Sequence, residues 1–381
     1  MPGQVGLDDI RKSGVALGLL QPPNLGHDPA LAPHSDVDRA HTDGYHKSMR
    51  VFSGDTANEA WLQAAGALCQ ENEGRGQPSR AGATREILHA VFTISDPTQR
   101  WVVARTPPIN PAFAIAEVIW ILRGRNDAAF VNYWNSKLPE FAGNASHYHG
   151  AYGYRLRQHF GFDQLDKAYT ALRQNPESRQ VALQIWDPAT DLPDEHGNPA
   201  DPDIPCNVVA FLKVRNGRLE WLQVLRSNDL VRGVPYNFVQ FTTLQEVMAG
   251  WLGLKPGGYN HLSDSLHLYE RDYAEVASTK PINPEANTDS LGIPRDQSEV
   301  VFGGLASRAE ALAKTDLTKK KLADLVEGFD APRGFHHLLL LLAAEAARRR
   351  KWRDCADQLM HECKNPALTQ VWARWLGSRT Q

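Results

Sequence analysis

The chain has 381 residues, 42% of them hydrophobic and 22% charged, which are ordinary proportions for one large domain with an appendage or for two domains. Its net charge of −3 argues against a nucleic-acid partner, and its four cysteines form neither a disulfide framework nor a zinc motif. The start lacks a signal-peptide pattern, and the longest apolar run, residues 338–344, is too short to span a membrane. These features predict a cytoplasmic protein without membrane contact or bound metal.

The first part of the chain changes from irregular to periodic sequence. Residues 1–50 are rich in Pro, Gly, His and Asp without a sustained period, so we expect an irregular arm. Apolar residues at helical spacing predict a helix over residues 57–70. Short strands are predicted at residues 88–93 and 101–105.

A helix is predicted over residues 111–124, where the sequence begins with a proline and ends with a glycine. Glu117 is embedded in its apolar side, and a carboxylate in such surroundings requires a reason because burial is costly. Burial would raise the pKa of this group and let it exchange protons near neutrality. An ion pair with Arg123 or Arg125 is the alternative.

The most informative stretch, residues 203–269, is organised around Cys206. The apolar run at 208–214 predicts a buried strand, and the Asn-Gly pair at 216–217 predicts a hairpin turn because both residues tolerate positive φ. The partner strand, 218–225, leads to Arg226. From residue 236 the apolar residues recur every three or four positions, which predicts a helix. A thiolate is a good nucleophile where a neighbouring arginine lowers its pKa, and an arginine also suits a phosphate.

The segments PCN, RSNDLVRGVPYN and HLY resemble the motifs PCH, RSxDxxxGxPxN and HxY of the thymidylate synthase family, in the same order. Four further segments resemble family motifs: residues 79–86 its RTGxxT loop, EVIWILRG its ELLWFLxG, YHGAYGYRLR its VYGxxWR, and SRQVALQIWDP its SRRxxxxxWNP. The resemblance covers about residues 79–270, half of the chain. It implies an α+β fold in which helices cover a mixed twisted sheet, and a homodimer that pairs sheet to sheet.

The resemblance also implies the roles of individual residues in one-carbon transfer to C5 of a pyrimidine nucleoside monophosphate. Cys206 would add to C6 of the ring, Glu117 would act as general acid and base, and Tyr152 would help to remove the C5 proton through water. Asn237 would hydrogen-bond a uracil ring, where cytosine-specific relatives carry an aspartate. The expected substrate-binding residues are Arg80, Arg226, Ser227 and the partner subunit's Arg179 at the phosphate, and His267 and Tyr269 at the ribose.

The co-substrate implied is 5,10-methylene-tetrahydrofolate, with Asp229 orienting its pterin. Several family features are missing, mostly on the folate side. Pro107 stands where the family has a folate-tail lysine, and of the paired tryptophans only Trp134 lies nearby. Asn207 replaces a histidine, and Gln180 replaces the second of two arginines. Leu225 replaces a glutamine, and the tail that closes the site is absent.

Three functions are therefore compared. C5 methylation of deoxyuridine monophosphate, the thymidylate synthase reaction, leads by weight of the family. C5 hydroxymethylation of dUMP, dCMP or CMP is the alternative, because a site without its lid admits water. The third is a non-catalytic nucleotide-binding homologue. The expected domains are an N-terminal arm (1–50), a catalytic domain (51–280) and a helical C-terminal extension (299–381), which either packs on the catalytic domain or forms its own module. The basic run at 348–353 is expected to be a solvated helix end, and contact with an acidic ligand is the alternative.

Overall fold

The computed structural model describes residues 49–70, 75–79 and 82–379. Most of the predicted N-terminal arm, and Arg80 in the predicted phosphate loop, lie outside these residues. Within them, no helix is both long and apolar enough to cross a membrane. The same part of the chain contains no cluster of His, Cys, Asp and Glu side chains that could hold a metal ion.

The described strands form one mixed sheet, and the prediction of an α+β fold with such a sheet is confirmed. The order of the main path is β1-β3-β8-β6-β5-β4, with β2 paired to β3 and β7 paired to β8. β1 with β3, and β8 with both β6 and β7, pair in parallel, and the other pairs are antiparallel. The strands are β1 (Arg50–Gly54), β2 (Arg75–Ser79), β3 (Gly82–Ile94), β4 (Ala182–Gln184), β5 (Asn207–Arg215), β6 (Arg218–Leu225), β7 (Asn228–Asp229) and β8 (Lys255–Tyr269).

The central hairpin is formed as predicted. β5 and β6 pair antiparallel from Arg215 opposite Arg218, and the turn between them has φ of 52° at Asn216 and 70° at Gly217. Both turn residues thus adopt the left-handed conformation that a tight hairpin requires. The hairpin is important for function because it brings the start of β5 beside the end of β6.

The helices cover the sheet and continue to the end of the described chain. They are α1 (Ala57–Cys69), α2 (Pro111–Leu122), α3 (Ala128–Trp134), α4 (Pro139–Ala142), α5 (Tyr152–Tyr154), α6 (Gln164–Gln174), α7 (Pro188–Asp191), α8 (Val234–Trp251), α9 (Glu270–Ala277), α10 (Arg295–Ala313), α11 (Lys319–Glu327), α12 (Arg333–Arg349), α13 (Arg353–Glu362) and α14 (Pro366–Gly377). A π-helical turn, Arg155–His159, follows α5.

Helix α2 is the centre of the helical layer. Asn110 caps its first turn by accepting a hydrogen bond from the Phe113 N–H, and Pro111 occupies the first helical position, where no N–H is needed. Eleven of its 12 residues are buried, and Glu117 is the exception. Helix α8 contacts α2, and so do α10, α12 and α14 of the C-terminal extension. The extension therefore packs on the catalytic core, which was one of the two alternatives expected.

Some sequence predictions of secondary structure were wrong. Residues 101–105 are buried but form no strand, because their backbone bonds elsewhere: the N–H of Ala104 donates to the side chain of Asn58 in α1 at 2.8 Å. The helical extension expected from residue 299 begins earlier, because α10 starts at Arg295.

Candidate active site

Cys206 lies immediately before β5 and is half-buried. The N–H of Arg226, just beyond the end of β6, donates to the Cys206 carbonyl at 2.9 Å. The Arg226 guanidinium turns back over the same segment, donating from Nε to the Pro205 carbonyl at 3.0 Å and from Nη2 to the Ile204 carbonyl at 3.2 Å. Its Nη1 makes no hydrogen bond within the described chain. The hairpin thus fixes a cation beside the cysteine and leaves part of its donor capacity for a ligand.

Tyr152 approaches the site from the opposite side, on α5. The following residue is Gly153, where an added Cβ would lie 2.5 Å from the Cα of Ile121 in α2, so only glycine permits this packing. The Tyr152 ring packs against the ring of Phe241 in α8, with ring centres 5.8 Å apart and ring planes tilted by 36°. Close contact with two helices therefore holds Tyr152 in place.

The charges of three titratable groups act on the Tyr152 hydroxyl. Burial raises its pKa well above the usual range, and the charges of Cys206, Asp203 and Glu117 raise it further, while the nearby side-chain amide of Asn207 acts in the opposite direction. The hydroxyl consequently stays protonated at neutral pH and can donate a hydrogen bond. This structure brings together the cysteine, the tyrosine and the glutamate that the sequence selected.

Glu117 has the electrostatics expected of an acid. Burial raises its pKa to about 8, against a weaker opposing effect of a hydrogen bond with Gln240. Its Oε2 is buried and has no hydrogen-bond partner in the described structure. The alternative of an ion pair with Arg123 or Arg125 was wrong: Arg123 pairs with Glu299 at 2.7 Å, and the other arginine pairs with Asp127 and Glu310.

Gln240 is a site residue that the sequence analysis missed. Its Oε1 accepts a 3.0 Å hydrogen bond from Nδ2 of Asn237, and its side chain also contacts Glu117. Both amides are buried, on one face of α8 and three positions apart, which is the spacing of neighbours on a helix. That spacing was the available signal. Gln240 orients the Asn237 amide, because it holds Nδ2 on its own side and leaves Oδ1 on the other.

A second missed residue, Gln223, lies in β6. Its Nε2 donates to Oδ1 of Asn207 at 3.0 Å, and its Oε1 accepts from the Trp221 indole at 3.0 Å. All three side chains are essentially inaccessible to solvent. This buried chain of hydrogen bonds fixes the side chain of Asn207, the residue that replaces the family's histidine, and leaves its Nδ2 without a hydrogen-bond partner in the described structure.

Asp229 and His267 are directly opposite each other in the pairing of β7 with β8. Burial lowers the pKa of His267, and the nearby Asp229 carboxylate only partly offsets this. Asp229 is strongly engaged: Oδ1 accepts from the N–H groups of Val231 and Arg232 at 2.7 and 2.9 Å, and Oδ2 from the Arg232 side chain at 3.2 Å. Asp229 therefore also closes the turn into α8.

The remaining predicted residues lie around this centre or away from it. Ser227 is half-buried between β6 and β7, and Tyr269 ends β8 with the Arg271 guanidinium 4.3 Å from its ring centre. Arg179 is exposed in the turn before β4. The position of Arg80 lies outside the described residues.

The residues expected to contact the folate provide only part of a folate-binding site. The orphaned Oε2 of Glu117 suits a polar group of a bound ligand, and the carboxylate of Asp229 remains partly exposed. Trp134 is completely buried, and its backbone carbonyl accepts hydrogen bonds from Asn110 and Arg349. It is therefore held in the core rather than positioned to cover a ligand. Asp229 is the residue that would hold the pterin.

A half-buried cysteine beside a fixed arginine and two protonated acids is an arrangement typical of transferases that use a thiolate nucleophile. Residues 68–300 match the family model described as Thymidylate synthase, and the chain belongs to that family of transferases acting on pyrimidine nucleotides. The resemblance in the sequence motifs is thereby confirmed.

Relatives with described activities include both kinds of one-carbon transferase. The chain is 31% identical over 269 residues to a Deoxyuridylate hydroxymethyltransferase of Bacillus phage SP01, covering 66% of this chain and 68% of that protein. It is 34% identical over 223 residues to a protein of the same description from Pseudomonas phage M6, covering 57% and 62%. A Thymidylate synthase of Clostridium beijerinckii is 29% identical over 164 residues, covering 41% and 57%.

Proposed function

We propose that this protein transfers a one-carbon unit from methylene-tetrahydrofolate to C5 of deoxyuridine monophosphate and releases 5-hydroxymethyl-dUMP. The observation that carries the proposal is that Cys206 and Glu117 lie close enough to Tyr152 for their charges to raise its pKa. Membership of the family, taken by itself, would favour the thymidylate synthase reaction. Similarity to two phage deoxyuridylate hydroxymethyltransferases favours hydroxymethylation, and so does the complete burial of Trp134 in the core.

Each of these residues has a task in that reaction. The Cys206 thiolate adds to C6 of uracil, which makes C5 nucleophilic, and the fixed charge of Arg226 stabilises the thiolate. Glu117, protonated because of burial, donates to the pyrimidine oxygen where negative charge develops. The Tyr152 hydroxyl orients the water that removes the C5 proton. When bound, the folate supplies the one-carbon unit at the oxidation level of formaldehyde.

The binding residues follow the same logic. Asn237, oriented by Gln240, presents an amide that can pair with both the carbonyl and the N–H of a uracil edge. Arg226 and Ser227 would bind the phosphate, together with Arg80 and the partner subunit's Arg179 in a homodimer. His267 and Tyr269 would bind the ribose hydroxyl.

The test is a product assay with methylene-tetrahydrofolate and each of dUMP, dCMP, UMP and CMP, with products identified by mass. We expect 5-hydroxymethyl-dUMP together with tetrahydrofolate. Methylated dUMP together with dihydrofolate would establish the second candidate, a thymidylate synthase. Tight nucleotide binding without any product would indicate the binding homologue.

The nucleophile is tested with Cys206→Ala, which should reduce turnover at least 1,000-fold while leaving the Kd for dUMP within about threefold, because covalent catalysis is lost but the binding groups remain. Cys355→Ala is the matched control, since this half-exposed thiol lies in α13. Substantial turnover by Cys206→Ala would remove Cys206 from its role.

A further inference from the structure

The segment before the nucleophile carries another carboxylate, Asp203, three positions before Cys206. Its Oδ2 accepts a 2.8 Å hydrogen bond from the backbone N–H of Gly150, while Oδ1 makes no hydrogen bond to any described residue. Asp203 is half-buried. It is thus anchored through one oxygen and open at the other.

Gly150 allows this anchoring. A Cβ at this position would lie 2.7 Å from the Asp203 carbonyl oxygen and 3.2 Å from both the Pro205 nitrogen and the Asp203 Oδ2. The segment leading to Tyr152 and the segment leading to Cys206 therefore touch along their backbones. This contact places Asp203 in the group of side chains around the Tyr152 hydroxyl.

Several charged groups face Asp203. Burial raises its pKa to about 6; the hydrogen bond from Gly150 opposes this, the charge of Asp201 adds to it, and His149 and Arg155 lower it. The last two also contact the buried Asp191, at 2.7 and 2.8 Å, so much of their charge is already offset. From the neighbouring segments, Tyr148, Tyr152 and Cys206 complete its surroundings.

These pKa values give Asp203 a different protonation state from Glu117 and Tyr152 at neutral pH. At pH 7.5 a group with a pKa of about 6 is ionised, whereas Glu117, with a pKa of about 8, is mostly protonated, and Tyr152 is fully protonated. A general base must be ionised and must lie within reach of the proton that it removes. Asp203 is the ionised carboxylate of this group, and its free oxygen is available to a water molecule.

We propose that Asp203 is the catalytic base that activates water for addition to the one-carbon unit, which makes the hydroxymethyl product. This inference rests on the proposed function. In the step, the substrate carries an exocyclic methylene at C5 and the Cys206 sulfur at C6. The water oxygen bonds to the methylene carbon, its proton moves to Asp203, and the π electrons move to the C4 oxygen. When they return, the C5–C6 double bond forms and the C6–S bond breaks. No oxidant or reductant is required.

Microscopic reversibility provides a test without folate. When 5-hydroxymethyl-dUMP is incubated with the enzyme in H₂¹⁸O, the thiolate adds at C6, the hydroxyl leaves with a proton from Asp203, and labelled water returns. Mass spectrometry then measures ¹⁸O in the hydroxymethyl group. We expect exchange by the native protein, at least 100-fold slower exchange by Asp203→Asn, and none by Cys206→Ala.

The matched control is Asp194→Asn, the same change at an exposed position in the same loop, which should exchange at the native rate. Asp203→Glu restores the carboxylate without the native anchor, and we expect its exchange to lie within tenfold of native. The pH profile of native exchange should show an ionisation near 6 that is absent from Asp203→Asn, because the pKa of the Asp203 carboxyl is about 6.

The outcomes separate the two proposals. Native-rate exchange by Asp203→Asn would overturn the role of Asp203 while leaving hydroxymethylation intact. Loss of exchange in both Asp203→Asn and Asp203→Glu, with altered dUMP affinity, would make the residue structural and also overturn the inference. If the native protein forms no hydroxymethyl product from folate and dUMP, the proposed function fails, and the inference with it.

Discussion

Nη2 of Arg349 donates a 2.9 Å hydrogen bond to the backbone carbonyl of Trp134. Arg349 lies at the end of α12 in the extension, and Trp134 is the last residue of α3 in the catalytic core. The carbonyls at the end of a helix lack partners within the helix, so a charged donor is well suited to them. The basic run at 348–353 is therefore not simply a solvated helix end, because its arginines join the extension to the core.

Glu345 is the buried carboxylate that holds these arginines in place. It is completely inaccessible to solvent and accepts hydrogen bonds from Arg348 at 2.7 Å, Arg349 at 2.8 Å and the Trp375 indole at 3.3 Å. Glu345→Gln should destabilise the protein by about 2–4 kcal/mol, because two arginines lose their buried counter-charge. Glu310→Gln, at an exposed pair, should cost under about 1 kcal/mol. Urea unfolding measures both.

The contribution of Glu345 to the free energy of unfolding should depend on pH. Burial acts to raise its pKa, but the hydrogen bonds and charges of Arg348 and Arg349 outweigh burial and lower it. A lowered pKa stabilises the fold above the ordinary pKa of a glutamate, and this contribution is lost as the pH falls through the folded value. The difference in unfolding free energy between the native protein and Glu345→Gln should therefore shrink below about pH 4. A constant difference down to pH 3 would contradict the assignment.

Glu117 should show the opposite dependence. Its pKa is about 8 in the folded protein and 4.5 ordinarily, so unfolding releases a proton between these values and stability falls as the pH rises. Relative to Glu117→Gln, the native protein should lose about 2–4 kcal/mol of unfolding free energy from pH 5 to pH 9. Chemical unfolding at several pH values measures this, with the exposed Glu310→Gln as control. Parallel curves for native and Glu117→Gln would show that Glu117 is ionised throughout.

Asn237→Asp should shift base preference from uracil toward cytosine. Asn237 donates one N–H of Nδ2 to Gln240, which leaves its Oδ1 and its second N–H for a ligand. A carboxylate can accept from the amino group of cytosine but cannot donate to the uracil carbonyl. We expect the ratio of kcat/KM for dCMP over dUMP to rise at least tenfold, measured with both nucleotides. Asn175→Asp, the same change at an exposed position just after α6, is the control. An unchanged ratio would mean that another residue reads the base.

Mixing of two inactive proteins should reveal a shared site. In a homodimer where Arg179 binds the partner's substrate phosphate, Cys206→Ala and Arg179→Ala subunits combine into heterodimers with one intact site. Random exchange makes half of the dimers mixed, so activity should recover to about a quarter of native, because one of their two sites works. The control mixes Cys206→Ala with Lys167→Ala, a change on α6. Because this lysine belongs to neither site, mixing should leave the total activity equal to that of the two proteins measured separately. Absence of recovery, with dimers confirmed by sedimentation, would place Arg179 outside the site.

Local signals in the sequence were sufficient for many elements. The Asn216-Gly217 turn and the strands on either side of it follow from positive φ and apolar alternation, and the proline and glycine around α2 mark its ends. The boundaries of the extension were less predictable, because α10 and α14 are held by packing on α2 rather than by a strong period of their own. The segment at 101–105 looked like a strand because it is apolar, but it has no neighbouring strand edge.

The sequence by itself determined the family, the nucleophile candidate and the hairpin that carries it, because these depend on motifs and turns within a few residues of each other. Only the tertiary structure showed that Gln223 holds Asn207, that Arg123 and Arg125 pair with residues other than Glu117, and that the charge of Asp203 acts on Tyr152. Each of these relationships joins residues from different segments of the chain. Burial and hydrogen bonding set their protonation, and neither exists until the segments have packed together.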